Sequence, residues 1–205
     1  MRCFIALCLS PEARKVLVSW TEDYRQSLTT SFQALPRDQK PRLSWTRSEG
    51  YHLTLAFLGE IESAAVEAAA TALDTVEDSG PIAFSLEAPE GFSPRGPWRV
   101  IFAKLKDSGG SERIYRKVNE ALAAKAHEGR LAPLNPEWPA GKPFAPHITL
   151  ARTRGSVILG AEQAQAAASG IPPLEGAWAI NRCALFKSEL QRGGSVYTEL
   201  KSVDF

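Results

Sequence analysis

One tetrapeptide pattern stands twice in this chain, as His52-Leu53-Thr54-Leu55 and as His147-Ile148-Thr149-Leu150. The chain has only three histidines, and two of them begin these two copies. In a β-strand, residues two positions apart project to the same face. Each copy therefore predicts a strand with one imidazole and one hydroxyl on an open face, and two apolar side chains packed behind them. The fold must supply two such strands in related surroundings.

Apolar periodicity and turn residues divide the rest of the chain into further strands and helices. Several neighbouring strands are joined by loops too short for a crossover, so much of the sheet must be antiparallel. The pattern predicts an α+β fold with about eight strands and three or four helices. Strands are predicted at 2–9, 43–46, 51–58, 82–87, 99–105, 145–151, 177–186 and 196–203, helices at 11–32, 63–77 and 111–128, and a short helix or ordered loop at 160–169.

Length and composition are those of a soluble globular protein. The chain has 205 residues, of which 44% are hydrophobic and 23% are charged, and this composition excludes a disordered chain. No apolar run reaches the roughly 18 residues that a membrane span needs. The apolar run 2–9 is short and leads directly into an amphipathic helix, so we interpret it as a buried strand of a cytoplasmic protein rather than as a signal peptide. Three cysteines in apolar surroundings indicate reduced thiols.

The charge balance is nearly even, with 24 Lys and Arg residues against 23 Asp and Glu residues. A chain-wide basic footprint for duplex nucleic acid is therefore absent. Two stretches, 91–106 and 138–161, contain cations and no acidic residue. Such stretches are typical either of an anion-binding cleft or of an ordinary solvated surface.

Two histidines on equivalent strands suit displacement at phosphorus, which needs a base on the attacking oxygen and an acid on the leaving oxygen. Histidine serves in either role because its ordinary pKa is about 6.5, and a threonine hydroxyl can donate to a phosphate oxygen. The alternative is that the His-x-Thr residues are ordinary polar residues of two strands, with hydrogen bonds and no catalytic role. The presence of two matching copies makes this alternative less favoured. A zinc site fails on ligand count, because two histidines fall short of the usual three or four ligands. His127, near the end of a predicted helix, is expected to interact with the helix terminus.

Together these residues resemble the 2H phosphoesterase superfamily, which is named for its paired His-x-Thr motifs. Within it the chain is most similar to the RNA 2′,3′-cyclic phosphodiesterases of bacteria and archaea, the LigT-like or ThpR-type proteins. The Pro-Glu pair usual before the first motif is replaced here by Ser48-Glu49-Gly50, and the segment 153–176 is atypical. The matching stretches follow the family's order over nearly the whole chain, at 4–7, 45–46, 51–59, 143–152, 185–190 and Tyr197.

The resemblance implies one bilobal domain, residues 1–205, in which two pseudo-symmetric lobes of mainly antiparallel sheet, backed by helices, face each other across a cleft. It implies hydrolysis of a 2′,3′-cyclic phosphate, at an RNA end or on a nucleoside, to a 2′-phosphate without a metal or other cofactor. It assigns His52 as general acid and His147 as general base, roles that the residues alone leave symmetric. It assigns phosphate binding to Thr54, Thr149 and Arg152.

Strict alternation along the strands conflicts with two of the positions that the resemblance implies. It places Arg152 off the face of His147, so we expect Arg152 to lie at the strand end or to reach round with its long side chain. The family has an aromatic residue near the nucleotide at the position of Phe57, whereas alternation predicts an apolar position there. We expect Phe57 to be a core residue.

The expected partners are RNA ends or nucleoside cyclic phosphates, with no membrane, and the chain is expected to be monomeric. Three other functions stay open: 2′–5′ RNA ligation, a cyclic nucleotide phosphodiesterase activity, and a non-catalytic module that binds RNA ends. The intact histidines and threonines argue against the last of these. Further candidates, each with an ordinary surface or core position as the competing interpretation, are Arg95, Arg99, Lys142 and Arg154 for the RNA backbone and Trp45, Trp98, Trp138 and Phe186 for base stacking.

Overall fold

The computed structural model describes residues 1–92, 97–131, 143–192 and 194–205. Within these ranges it contains nine strands and four α-helices, and short 3₁₀ turns lie at Arg37–Gln39, Ser48–Gly50 and Leu73–Val76. The strands are β1 (Arg2–Cys8), β2 (Arg42–Trp45), β3 (His52–Glu60), β4 (Ile82–Gly91), β5 (Val100–Asp107), β6 (His147–Arg154), β7 (Trp178–Ile180), β8 (Arg182–Gln191) and β9 (Gly194–Asp204). The helices are α1 (Pro11–Ser31), α2 (Ser63–Ala72), α3 (Gly110–His127) and α4 (Ala161–Ser169).

All nine strands belong to one sheet with antiparallel pairing, which confirms the predicted α+β class. The strand order is β7-β4-β5-β6-β3-β1-β8-β9, and β2 pairs with β6 beside this path. We call β3, β1, β8 and β9 the first half of the sheet, and β6, β5, β4 and β7 the second half. The halves join through one residue pair, Leu53 of β3 opposite Ile148 of β6. The sheet is therefore built about a local two-fold relation centred on the two histidine strands.

One predicted strand is wrong as a single element. The sequence predicts one strand at 177–186, whereas the structure has β7 and β8 separated at Asn181. Strand β7 pairs with β4 in the second half, and β8 pairs with β1 and β9 in the first half. The chain crosses between the halves at this point. The apolar pattern hides the crossing because both segments bury side chains in the same core.

Helix α1 shows how local sequence signals set where a helix begins and what it packs against. The Ser10 hydroxyl accepts a hydrogen bond from the Ala13 amide at 3.2 Å, and Pro11 opens the first turn. Both features favour helix initiation. The apolar stripe of the helix is buried, and its Tyr24 hydroxyl donates to the carbonyl of Ala164 in α4 at 3.2 Å. Helix α1 is thereby fixed to α4.

The core lies behind the two histidine strands. Leu53 and Leu55 of β3, and Ile148 and Leu150 of β6, are at most 1% exposed, as the alternating pattern predicts. Helix α3 packs on this side of β3, where the Asn119 amide donates to the Leu55 carbonyl at 3.2 Å. The polar faces of both strands are left on the other side of the sheet, where they can form a site.

Strand β1 is the buried strand that the sequence predicts near Met1: the four residues at 4–7 are at most 2% exposed. The three thiols are free, with Cys3 and Cys183 buried and Cys8 half-buried. None of the helices in the described ranges combines the length and the apolarity that crossing a membrane requires.

Candidate active site

The two His-x-Thr copies lie side by side where the halves of the sheet join. The residue pair that makes the join is the second residue of each copy. Antiparallel geometry consequently sets His52 beside Thr149, and Thr54 beside His147, on one face of the sheet. All four side chains line a single cavity of about 330 Å³. A ligand in this cavity would have an imidazole and a hydroxyl from each half next to it.

Arg152 lines the same cavity, so the structure brings together all five residues to which the sequence resemblance assigns a role. Other lining residues received no role from the sequence. Some of them stand in stretches that match the family, which is the signal that could have identified them, whereas Arg2, Cys3, Gly50 and Ser195 lie outside those stretches. Within the described residues, no group of three or more His, Cys, Asp and Glu side chains is arranged to hold a metal ion. The additional lining residues are Arg2, Cys3, Phe4, Thr46, Gly50, Phe57, Ser188, Ser195 and Tyr197.

A β-bulge in β6 explains how Arg152 reaches the cavity. Strand β6 has an extra residue, Leu150, between the positions that pair with consecutive residues of β5. An extra residue reverses the alternation of side chains beyond it. Arg152 therefore returns to the face of His147 and Thr149 while still inside the strand. It neither lies at the strand end nor needs to reach round it.

Strand β3 has the same irregularity at the equivalent position, Leu55. This bulge turns Phe57 to the cleft, where its side chain is 46% exposed and lines the cavity. The prediction that Phe57 is a core residue is therefore wrong, because it assumed unbroken alternation. Phe57 and Arg152 each stand five positions after a histidine, so they are equivalent positions of the two halves with very different side chains.

The backbone determines which ring nitrogen of each histidine is available for proton transfer. Nδ1 of His52 lies 2.8 Å from the Gly50 carbonyl oxygen, and Nδ1 of His147 lies 2.7 Å from the Ala145 carbonyl oxygen. A carbonyl only accepts, so Nδ1 carries a proton and donates in both cases. Nε2 is then the nitrogen that takes up or gives a proton. In both halves, the carbonyl of the residue two positions before the histidine thus accepts the Nδ1 proton and leaves Nε2 available.

The two supporting carbonyls are held in different ways. The Arg14 guanidinium donates to the Ser48 carbonyl at 2.5 Å, so α1 fixes the 3₁₀ turn that carries Gly50. This turn is the place where the sequence departs from the family's Pro-Glu pair. In the second half, the Pro146 carbonyl accepts from the Leu105 amide of β5 at 3.0 Å. There the sheet itself holds the segment before the histidine.

Aromatic rings of the first half surround His52. The ring of Phe4 stacks on the imidazole with 4.7 Å between ring centroids, and Tyr197 meets it edge-on at 5.4 Å. Phe186, a base-stacking candidate from the sequence, stacks on Phe4 at 5.3 Å. Phe186 is therefore one ring removed from the histidine.

The surroundings of His147 are more open. Phe102 lies 5.1 Å from the imidazole, centroid to centroid, and Phe92 meets it edge-on at 5.0 Å. Phe102 is buried, but the side chain of Phe92 is 59% exposed. One wall beside His147 is consequently formed by a ring that faces solvent.

These surroundings lower the pKa of both imidazoles. Burial lowers the pKa of His52 to about 4, against the opposing hydrogen bond to its backbone acceptor, and the charges of His147, Arg14 and Arg152 act in the same direction as burial. Burial also lowers the pKa of His147, with the charge of Arg152 adding to the effect. Both rings are therefore mainly neutral near pH 7 while the cavity is empty, and an anion between them favours their protonated forms.

The remaining residues that the sequence suggests for RNA contacts differ in their exposure to solvent. Trp98 is 1% exposed and Trp45 packs against the core, so neither is placed to stack on a base. Arg99 and Arg154 are exposed. His127 is the last residue of α3, as predicted. Outside the described residues lie Arg95, Trp138 and Lys142.

A family model described as the 2′-5′ RNA ligase superfamily matches residues 26–192, a stretch that contains both histidine strands. The chain belongs to this superfamily. The resemblance to 2H phosphoesterases inferred from the paired motifs is thereby confirmed. Membership rests on a match over most of the chain rather than on the two short motifs alone.

Two relatives of this chain are named RNA 2′,3′-cyclic phosphodiesterase. The protein from Thermus thermophilus is 32% identical over 208 positions, which cover 98% of this chain and 88% of that protein. The protein from Geobacillus stearothermophilus is 28% identical over 150 residues, which cover 73% of this chain and 41% of that protein. The chain thus matches less than half the length of the second relative. The crystal structure of TT0787 from Thermus thermophilus superposes with a TM-score of 0.73 at 28% identity and covers 100% of this chain and 97% of that one.

Proposed function

We propose that this protein hydrolyses 2′,3′-cyclic phosphates at RNA ends, or on nucleosides, to 2′-phosphates by acid–base catalysis with two histidines and without a metal ion. The observation that carries the proposal is the pair of imidazoles on equivalent strands, each with Nδ1 donating to a backbone carbonyl and each lining one cavity. The name shared by the relatives supports the same substrate class.

In the proposed reaction His147 removes a proton from water as the water oxygen attacks phosphorus. The bond between phosphorus and the 3′-oxygen breaks, and His52 gives its proton to that leaving oxygen. The direction of the assignment rests on the family resemblance. It requires His52 to be protonated in the complex although burial lowers its pKa in the empty site. In the complex the anionic phosphate raises the pKa of His52, because a negative charge beside an imidazole favours its protonated form.

The hydroxyls and the guanidinium of the cavity would bind the non-bridging phosphate oxygens. Thr54 and Thr149 stand beside the opposite copy's histidine, where each hydroxyl can donate to one oxygen as charge builds up. Arg152 offers a planar charged donor set on the same face. The proposal therefore gives each half one threonine donor and assigns phosphate binding to a guanidinium of the second half, Arg152.

The decisive experiment is to incubate the protein with cytidine 2′,3′-cyclic phosphate in excess chelator and to identify the product by chromatography. The proposal expects cytidine 2′-phosphate, at a rate that the chelator leaves unchanged. Loss of activity with chelator, restored by one divalent metal, would contradict the metal-free mechanism. Formation of the 3′-phosphate would contradict the proposed bond cleavage.

The same assay separates the other candidate functions. A 3′,5′-cyclic nucleotide that turns over faster than the 2′,3′-cyclic substrate would favour a cyclic nucleotide phosphodiesterase. Joining of a cyclic phosphate end to an RNA with a free 5′-hydroxyl would favour 2′–5′ ligation. Tight binding of the RNA end without any product would favour a binding module. The cytoplasmic location and the monomeric state remain predictions from the sequence.

A further inference from the structure

Two exposed arginines stand directly opposite each other on the strands that lead out of the cavity. In the antiparallel pair of β2 and β6, Arg42 is opposite Arg154, and Ser44 is opposite Arg152. Residues directly opposite on paired strands project to the same face. Arg42 and Arg154 therefore share the face of Arg152, which lines the cavity.

The burial of β2 supports this orientation. Leu43 and Trp45, the alternate residues of the strand, pack against the core. The residues at even positions consequently face the cleft, and Thr46, just beyond the strand, lines the cavity. Strands β2 and β6 thus form a surface that begins at the catalytic cavity and ends at the pair of Arg42 and Arg154. We call this surface the arginine track.

Among the described residues, the charges of the arginine track have no acidic partner. Like charges directly opposite each other on paired strands destabilise a sheet. In the part of the chain that the structure describes, no Asp or Glu oxygen lies within 4.0 Å of the guanidinium of Arg42, Arg154 or Arg152, although eleven other ion pairs are present. The arrangement is electrostatically unfavourable for the free protein and favourable for a bound polyanion.

We propose that Arg42 and Arg154 bind backbone phosphates of a single RNA strand whose cyclic phosphate end occupies the cavity. This inference rests on the proposed function and names its preferred substrate as a polynucleotide rather than a mononucleotide. Arg154 and Arg152 are two residues apart, which is about 7 Å along a strand, similar to the spacing of successive phosphates in an extended RNA strand. Arginine suits this role because its fork of N–H donors matches phosphate oxygens.

The test compares two substrates on the intact protein: cytidine 2′,3′-cyclic phosphate and a six-nucleotide RNA that ends in a 2′,3′-cyclic phosphate. The variants are R42Q, R154Q and the double variant. The matched control is R113Q, which changes an exposed arginine of α3 that forms no ion pair within the described residues. Binding of the same RNA ending in a 2′-phosphate is measured in parallel by fluorescence anisotropy, so that the comparison does not depend on turnover.

The expected result is a loss of preference for the longer substrate. Exposed ion pairs are worth about two- to fivefold each, so kcat/KM for the RNA relative to the mononucleotide should fall about tenfold in the double variant. The slope of log binding constant against log salt should become shallower by roughly 0.7 for each lost phosphate contact. R113Q should match the unchanged protein in both measurements.

Three outcomes overturn the inference. Unchanged RNA binding and unchanged preference in the double variant would show that the strand does not lie on the arginine track. An equal loss on both substrates would show that the arginines act on the cavity itself. A lowered melting temperature would point to a structural role, whereas removing one of two facing like charges should leave the melting temperature unchanged or raise it. If the unchanged protein turns over neither substrate, the proposed function is wrong. The binding measurement then still tests whether the RNA strand lies on the arginine track.

Discussion

The two halves of the site share a backbone and differ in their side chains. Each half has a bulge three positions after its histidine, and each supports Nδ1 with the carbonyl two positions before it. His52 is enclosed by stacked and edge-on rings, whereas one of the rings beside His147 is largely exposed. The shared backbone makes the two imidazoles geometrically equivalent. The unlike side chains make them chemically unequal, which suits the separate acid and base roles of the proposed reaction.

The sharpest difference lies two positions after each bulge. The first half presents Phe57 there and the second half presents Arg152, and both line the cavity. The same backbone irregularity therefore delivers an apolar ring to one side of the ligand and a positive charge to the other. An asymmetric ligand with an anionic group and an apolar face fits such a site better than a symmetric one.

The largest expected effect tests whether the imidazoles act as a unit. His52→Ala and His147→Ala should each lower turnover of a 2′,3′-cyclic phosphate by about 10²- to 10⁴-fold, the usual worth of general acid–base catalysis. The double variant should be little worse than the poorer single variant, because residues that act together are strongly non-additive. Steady-state rates measure this, and circular dichroism shows whether each variant is folded. A folded single variant with near-native turnover would remove the two-histidine mechanism.

A second substrate makes the same variants report which histidine is the acid. Replacing the 3′-oxygen of the substrate by sulfur gives a leaving group that needs no protonation. The variant that lacks the acid should then recover most of its lost rate, and the variant that lacks the base should not. Recovery by His147→Ala instead of His52→Ala would reverse the proposed roles and leave the rest of the mechanism intact.

The next effect concerns Phe57 and Arg152, which each stand two positions after a bulge. Arg152→Met should lower kcat/KM by about 10- to 100-fold, because hydrogen bonds to charged groups are worth about 1.5–3 kcal/mol. Phe57→Leu, its counterpart in the first half, should cost only a few-fold, since it removes a ring but no charge. Rates on the cyclic phosphate at low salt measure both. Equal losses would show that the two positions are not distinguished by charge.

The third effect is a difference between two pH profiles. The free protein has lowered pKa values at His52, to about 4, and at His147, so the bell-shaped profile of kcat/KM should be displaced to acid. A bound anion raises both pKa values, and the profile of kcat should therefore be centred at higher pH, by about 1–3 units. Initial rates at saturating and at low substrate give the two profiles. Coincident profiles would mean that the ligand does not lie between the imidazoles.

The sequence predicts the two histidine strands and the α+β class because these depend on local alternation and on loop length. It does not predict the bulges at Leu55 and Leu150, which arise from pairing with strands distant in the chain. For that reason alternation assigns Phe57 to the core, and only the resemblance indicates the side to which Arg152 turns. The break at Asn181 is missed for a similar reason. Both segments around it are apolar, and only the tertiary structure shows that they pair with opposite halves.

The smallest expected effect exchanges the residues whose carbonyls support the imidazoles. A methyl group added at Gly50 would lie 3.0 Å from Thr46 Cγ2 and 3.4 Å from Tyr197 Cε2, so the turn or these neighbours must move by a few tenths of an ångström. Gly50→Ala should therefore lower kcat about two- to fivefold and change KM little, because small misplacements of reacting groups are costly.

Ala145→Gly is the matched change in the second half. The Ala145 side chain is exposed, so its removal should leave the packing around His147 unchanged. It should alter kcat less than twofold. The ¹⁵N resonances of the imidazoles report the tautomer in both variants, and Nδ1 of His52 should remain protonated while its hydrogen bond lengthens. Equal effects of the two changes would mean that the added methyl group at Gly50 does not disturb the support of His52. The close approach of Thr46 to Gly50 would then have no part in setting the position of His52.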